Sequence, residues 1–115
     1  MVSVSLCMIV KNEEEVLERC LKSVYELVDE IIIVDTGSED ATVSIAQSYT
    51  DKVYFFEWCN DFSKARNFSY SKATKDYIFF MDADEVLPET EQGKFRDLKE
   101  SLDPAVDIVS MYSTI

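Results

Sequence analysis

Residues 30–38, EIIIVDTGS, hold four consecutive β-branched residues between two carboxylates and then break at Thr36-Gly37-Ser38. A strand with one wet face alternates apolar and polar side chains. An unbroken Ile/Val run instead fits a strand covered on both faces, as in a parallel sheet. The run predicts a strand over Glu30–Asp35. Val2–Val10, Lys52–Trp58 (KVYFFEW) and Asp76–Met81 (DYIFFM) are further strand segments, the last running into Asp82-Ala83-Asp84-Glu85. Helical spacing fills the gaps. Val16, Leu17, Cys20, Leu21, Val24 and Val28 make one apolar face. Asn12, with Glu15 three residues later, reads as that helix's N-cap and capping-box partner. Thr42, Ile45, Ala46 and Tyr49 fit a short second helix. Asp61 caps a third through Ala65, Phe68 and Ala73. Pro88 to Leu102 forms a fourth, with Phe95, Leu98 and Leu102 on one face. Asp103-Pro104 ends it, and Val106–Tyr112 begins a fifth strand.

Successive βα units with near-continuous apolar strands imply a single α/β domain, residues 1–115, built on an open, mostly parallel, doubly wound Rossmann-like sheet. The chain stops within an apolar strand at Ser113-Thr114-Ile115. The sheet is therefore expected to be incomplete at its C-terminus, and pairing through that edge would make a homodimer. Ligands of such sheets bind beyond the carboxyl ends of the strands, near the switch point of strand order. Those ends carry Lys11-Asn12-Glu13, Asp35-Thr36-Gly37 and Asp82-Ala83-Asp84.

Composition narrows the chemistry. The 115 residues carry 23 acidic and 11 basic side chains, a formal charge of −12, which argues against a nucleic-acid partner. A phosphorylated small molecule remains compatible if a divalent cation lies between it and the protein. There is no His, so Ser-His and Cys-His nucleophile pairs are absent. Cys7, Cys20 and Cys59 have neither zinc-site nor disulfide spacing, and Cys7 and Cys20 fall in apolar patterns expected of the core. No apolar run reaches the ~20 residues of a membrane span and the start lacks signal-peptide features, so a cytoplasmic location is expected.

Asp82 and Asp84 are the sharpest candidates. Two carboxylates held within ~4 Å repel by several kcal/mol at an effective dielectric of ~20, and Mg²⁺ or Mn²⁺ relieves that repulsion with oxygen ligands. Two solvated acids at a loop start are the plainer alternative. Asp35 is placed to accept hydrogen bonds from a base or ribose, or else to hold a turn. Gly37 permits a positive φ or a close ligand approach. Arg66 suits a phosphate, although a surface ion pair is the commoner use of a single Arg. Trp58 and Phe62 offer stacking faces but fit the edge of the core equally.

Four ordered blocks carry a resemblance. SLCMIVKNEEEVLERCLKSV (5–24), DEIIIVDTGSEDAT (29–42), FEWCNDFSKARNFS (56–69) and DYIFFMDADE (76–85) resemble successive blocks of family 2 glycosyltransferases, in particular a bacterial subgroup often followed by tetratricopeptide repeats. The family's usual TGSxDGT reads TGSEDAT here, with Ala41 in place of Gly. The resemblance implies the GT-A fold and a nucleoside-diphosphate sugar, UDP-linked, as donor. It implies that Val10, Lys11, Asn12 and Glu13 line the nucleotide pocket, that Asp35 meets the base and that Arg66 lies near the nucleotide or diphosphate. It further implies that Asp82 faces the ribose or the metal and that Asp84 binds a divalent cation, Mn²⁺ or Mg²⁺, bridging the diphosphate. The acceptor, whether glycan, lipid or protein, is unspecified. The acceptor's catalytic base is expected beyond Ile115, leaving a fragment that binds nucleotide.

Three other readings compete. FFMDADEV fits the nucleophile motif of a haloacid-dehalogenase-like phosphatase using Asp82 and Asp84, but that motif closes the first strand of its domain and here three βα units precede it. A response-regulator receiver needs an acidic pair after its first strand, where this chain has Lys11-Asn12-Glu13. A non-catalytic nucleotide-binding module would keep the fold alone.

Overall fold

A computed structural model describes residues 3–101 of the chain. The elements alternate as β1 (Val4–Val10), α1 (Leu17–Val24), β2 (Glu30–Asp35), α2 (Thr42–Gln47), β3 (Val53–Phe55), α3 (Phe62–Lys72), β4 (Tyr77–Phe80) and α4 (Glu89–Ser101). The fifth strand expected over Val106–Tyr112, the terminal edge and the side chains of Leu98 and Leu102 lie outside the described part.

All pairings are parallel and the order is β3-β2-β1-β4. The chain therefore steps outward from β1 to β3 and then crosses back to the far side of β1. That makes the β1/β4 boundary the switch point.

The two-residue period of the strands sorts side chains between the faces. Val4, Leu6, Met8 and Val10 of β1 join Ile31, Ile33, Tyr77, Phe79 and Met81 in one cluster with Leu17, Cys20, Leu21 and Val24 of α1 and Ala46 of α2. Each fully buried Leu or Val there contributes roughly 1.5–3 kcal/mol. Phe95 of α4 caps this side, its ring 5.1 Å from that of Phe79. Ser5 and Cys7 face the other way, toward α3, where the Cys7 thiol donates to the Ser69 carbonyl at 3.7 Å. The fully buried residues of α3 are Ala65 and Ser69, small side chains one turn apart, which let the helix lie close across β1 and β2.

One acid ties the strands together at their N-terminal rim. Glu30 opens β2 and its side chain is 2 % exposed. Oε1 accepts from Ser5 Oγ and from the Thr74 backbone N–H, both at 2.8 Å. Oε2 accepts from Thr74 Oγ1 at 2.8 Å and from the Lys52 ammonium. β1, β2 and the segments leading into β3 and β4 thus share one carboxylate. Burial alone pushes this carboxyl up, but Lys52, Thr74 and Ser5 outweigh it and hold it at about 2.

Candidate functional site

At the C-terminal rim the loops after β1 and β2 interlock. Asn12 has φ 53°, a left-handed conformation that Asn tolerates. Its N–H donates to Ser38 Oγ at 2.9 Å, and its own Oδ1 accepts from the Glu39 N–H at 2.8 Å. Glu13 N donates to Thr42 Oγ1 at 2.7 Å, and Ala41 N to Glu14 Oε1 at 3.2 Å. This corrects the expected capping box. α1 begins at Leu17, its N-cap is Val16, and no side chain caps it. Asn12 instead caps the neighbouring loop, because the positive φ turns its side chain across the rim rather than along the helix.

Asp35 ends β2, 5 % exposed. Its Oδ2 accepts from Gly37 N at 3.0 Å and from Ser38 N at 3.1 Å. The turn role weighed for it is therefore present. Gly37 adopts φ +118°, and a Cβ built there meets nothing within 4 Å, so glycine serves the backbone angle rather than clearance.

Asp82 and Asp84 follow β4 and are both exposed. Glu85 is bound back onto this turn, its Oε1 accepting from Asp82 N at 2.8 Å while its N–H donates to the Asp82 carbonyl at 3.1 Å. Burial, then the charges of Asp84, Asp40 and Asp82, push the Glu13 carboxyl up. Burial also raises Glu85; the Asp82 N–H pulls it down, and the Asp82 and Asp84 charges add to the rise. Beneath them the Cys20 thiol donates to the Asp82 carbonyl at 3.6 Å and is pushed up to about 12, by burial first and then by Glu85, Asp84 and Asp82. Asp82, Asp84 and Glu13 thus share one electrostatic neighbourhood across the β1/β4 switch point. The donors are all oxygen, which suits a hard divalent cation. Among the described residues no three acidic or sulfur side chains gather closely enough to enclose an ion. A cation here would take one or two carboxylates and complete its shell with ligand and water oxygens, the usual habit of Mg²⁺.

On the other side of Glu13 lies a cleft of about 270 Å³ lined by Ile9, Val10, Lys11, Glu13, Thr36, Trp58 and Phe62. Val10, Lys11 and Glu13 thus line one cleft, while Asn12 and Glu13 also border a separate dent with Asp40. Arg66 is exposed and stacks its guanidinium on the rings of Phe62 and Phe80, at 4.8 and 4.9 Å. It reaches the cleft through Phe62. Thr36 and Ile9 were not anticipated. Their position beside the strand ends was the available signal.

The family model for glycosyl transferase family 2 matches residues 5–114. The chain belongs to this family. A TPR repeat-containing protein of Synechococcus elongatus is 52 % identical over 87 residues, 76 % of this chain and 22 % of its own length. The SPbeta prophage-derived glycosyltransferase SunS of Bacillus subtilis is 40 % identical over 88 residues, 75 % of this chain and 21 % of its own. The chain thus spans about a fifth of the length of these relatives. Among solved structures, Mycobacterium tuberculosis glucosyl-3-phosphoglycerate synthase in complex with Mn²⁺ and UDP-glucose superposes with a TM-score of 0.65 at 26 % identity, over 76 % of this chain and 35 % of that one. Staphylococcus aureus TarS shares the fold, with a TM-score of 0.67 at 22 % identity over 85 % of this chain and 32 % of its own. Membership of family 2, with its GT-A architecture, removes the phosphatase and receiver readings.

Proposed function

We propose that this family 2 chain is the donor-binding part of a cytoplasmic, metal-dependent glycosyltransferase that moves a sugar from a UDP-linked donor to a glycan, lipid or protein acceptor. One observation carries the reading. Asp82 and Asp84 stand exposed at the end of β4, and their charges bear on Glu13 across the switch point, beside a cleft formed by the ends of β1 and β2. The Mycobacterium tuberculosis neighbour crystallised with Mn²⁺ and UDP-glucose supports it.

Asp84 and Asp82 would hold the cation, which when bound supplies positive charge to the leaving diphosphate. The chain's own residues do the rest. Asn12, Thr42 and Asp35 fix the two rim loops, so the cleft is largely formed before ligand arrives. Asp35 Oδ1 takes only a long bond, 3.4 Å from Ser38 N, and keeps accepting capacity toward a base. Lys11 at the cleft and Arg66 beside it bring cations to an otherwise acidic rim, where a phosphate needs them. Glu85 is engaged with the Asp82 backbone and positions that turn rather than serving as the acceptor's base.

Calorimetric titration with UDP and GDP, with and without Mn²⁺, tests this on the wild-type chain and on Asp84→Ala. UDP binding that requires Mn²⁺ and is lost in the variant is the expected result. Tight binding indifferent to both metal and substitution would defeat the site.

A further inference from the structure

We propose that α1 carries two positioning residues, Cys20 and Ser23, which grip the backbone of residues 82–87 from behind and so set how Asp82 and Asp84 are presented to a cation; the inference rests on the donor-binding reading above. The two residues lie three apart, on one side of the helix, and each bonds to the segment that follows β4. The Cys20 thiol donates to the Asp82 carbonyl at 3.6 Å. Ser23 Oγ donates to the Cys20 carbonyl at 2.7 Å and accepts from the Leu87 N–H at 3.0 Å. The first of these bonds turns the hydroxyl proton back onto the helix and leaves a lone pair for Leu87.

The acidic turn is tied at both ends. The Asp82 N–H is taken by Glu85 Oε1, and the Asp82 carbonyl accepts both from Cys20 and from the Glu85 N–H at 3.1 Å. Leu87 is bonded on both sides, its N–H to Ser23 and its carbonyl from Gln92 Nε2 of α4 at 3.0 Å. Between the ties Ala83 is 4 % exposed and belongs to the core cluster, whereas Asp82 and Asp84 on either side of it are exposed. A small buried residue between two outward acids, in a segment anchored at each end, restricts how far the carboxylates can separate. Like charges in an untied loop would relax their repulsion by moving apart.

The same helix is tied to the acid across the switch point. The Glu13 carbonyl accepts from the Val16 N–H at 3.1 Å and from the Leu17 N–H at 2.9 Å, so α1 starts on Glu13. One turn later it presents Cys20, and a turn after that Ser23. Glu13 follows β1 and the two aspartates follow β4, yet all three are indexed to one rigid element. A cation entering such a site has little chain left to order, which is the advantage of a preformed arrangement. Neither Cys20 nor Ser23 is offered as a ligand; both act through the backbone of residues 82–87. Losing a group that orients a metal's ligands commonly weakens the metal roughly ten- to a hundred-fold, and support delivered through backbone belongs at the lower end of that range.

Mn²⁺ affinity tests this, read from the loss of the free-ion paramagnetic resonance signal with UDP at fixed concentration and a protein-free blank. The wild type should take up the ion and Asp84→Ala should not. Ser23→Ala and Cys20→Ala should each weaken uptake roughly ten-fold. Ser23→Thr, whose hydroxyl can make the same bond to the carbonyl three residues back, should stay within about two-fold of wild type. Ser5→Ala is the control for stability alone: it removes a bond to Glu30 at the opposite rim, and should lower the urea midpoint while leaving Mn²⁺ uptake as in the wild type. If Ser23→Ala and Cys20→Ala lower the urea midpoint yet bind Mn²⁺ within about two-fold of wild type, their bonds serve the fold only; the positioning role is overturned and the donor site stands. Uptake weakened as much by Ser5→Ala would overturn it too, since the loss would then follow global stability. If the wild type takes up no Mn²⁺ beyond the blank, or Asp84→Ala takes up as much, the donor site fails and the positioning role fails with it.

Discussion

Replacing Glu30 by Gln removes the one charge that joins all four strands while keeping nearly the same shape. Gln offers a single carbonyl oxygen. It can still accept from Ser5 Oγ and Thr74 N, but then turns its NH₂ toward Thr74 Oγ1, which can rotate to accept, and toward the Lys52 ammonium, a donor only, which loses its partner. The carboxyl at about 2 lies well below an ordinary 4.5. At roughly 1.4 kcal/mol per pH unit that gap corresponds to about 3 kcal/mol. Lys52 is 41 % exposed, so water screens part of its attraction, and the expected loss is nearer 2 kcal/mol. A folded-state value below the unfolded one means the contribution is complete above 4.5 and disappears as pH falls toward about 2. Urea unfolding followed by circular dichroism should therefore separate wild type and Glu30→Gln by about 2 kcal/mol at neutral pH and bring them together near pH 2. A separation that persists unchanged at the acid end would show that packing, not ionisation, carries the effect.

Asn12→Gly preserves the positive φ but removes the bond to Glu39. Hydrogen exchange should show the Glu39 amide exchanging faster with α1 unchanged; protection loss in α1 instead would restore the capping role the structure denies. A thiol reagent should modify one cysteine of the native chain, the exposed Cys59. Cys7 and Cys20, buried and both raised to about 12, should react only on unfolding, as mass spectrometry of the labelled chain would establish.

What was legible in the sequence was local. β2 is the predicted Glu30–Asp35 to the residue, since unbroken β-branched runs have few alternatives. Asp61 caps α3 through Lys64 N, three residues on, within the reach of a sequence pattern. β3 is where periodicity overreached: Lys52–Trp58 reads as one aromatic strand, but only Val53–Phe55 pairs with β2. The rest lifts away and carries Trp58 to the cleft, an outcome decided by tertiary placement. The same limit hid the real partner of Asn12, 27 residues distant, and the four-fold engagement of Glu30, whose partners lie 22 to 44 residues away. The order of Asp35, Arg66 and Asp84 along the chain was plain from the start. Which strand ends stand side by side depends on β4 crossing back to pair with β1, a choice of strand order that no local window contains.

A parallel sheet makes its two rims chemically unequal. At the N-terminal rim the chain enters four neighbouring strands together, so one acid can be surrounded by donors from each. Glu30 is surrounded in this way: it has lost its water, gained Ser5, Lys52 and Thr74, and retains little capacity for a ligand. At the C-terminal rim each strand leaves into a loop; Asp35 is held there by the Gly37 and Ser38 N–H groups, while Asp82 and Asp84 stand exposed in the neighbourhood of Glu13. Glu13 is raised first by burial and then by the charges of Asp84, Asp40 and Asp82, so negative charge gathers at this rim. The same functional group therefore stabilises the fold where it is saturated and stands ready for a cation where it is not. That asymmetry is why Asp82 and Asp84, rather than the saturated Glu30, are the residues to which the donor site is assigned.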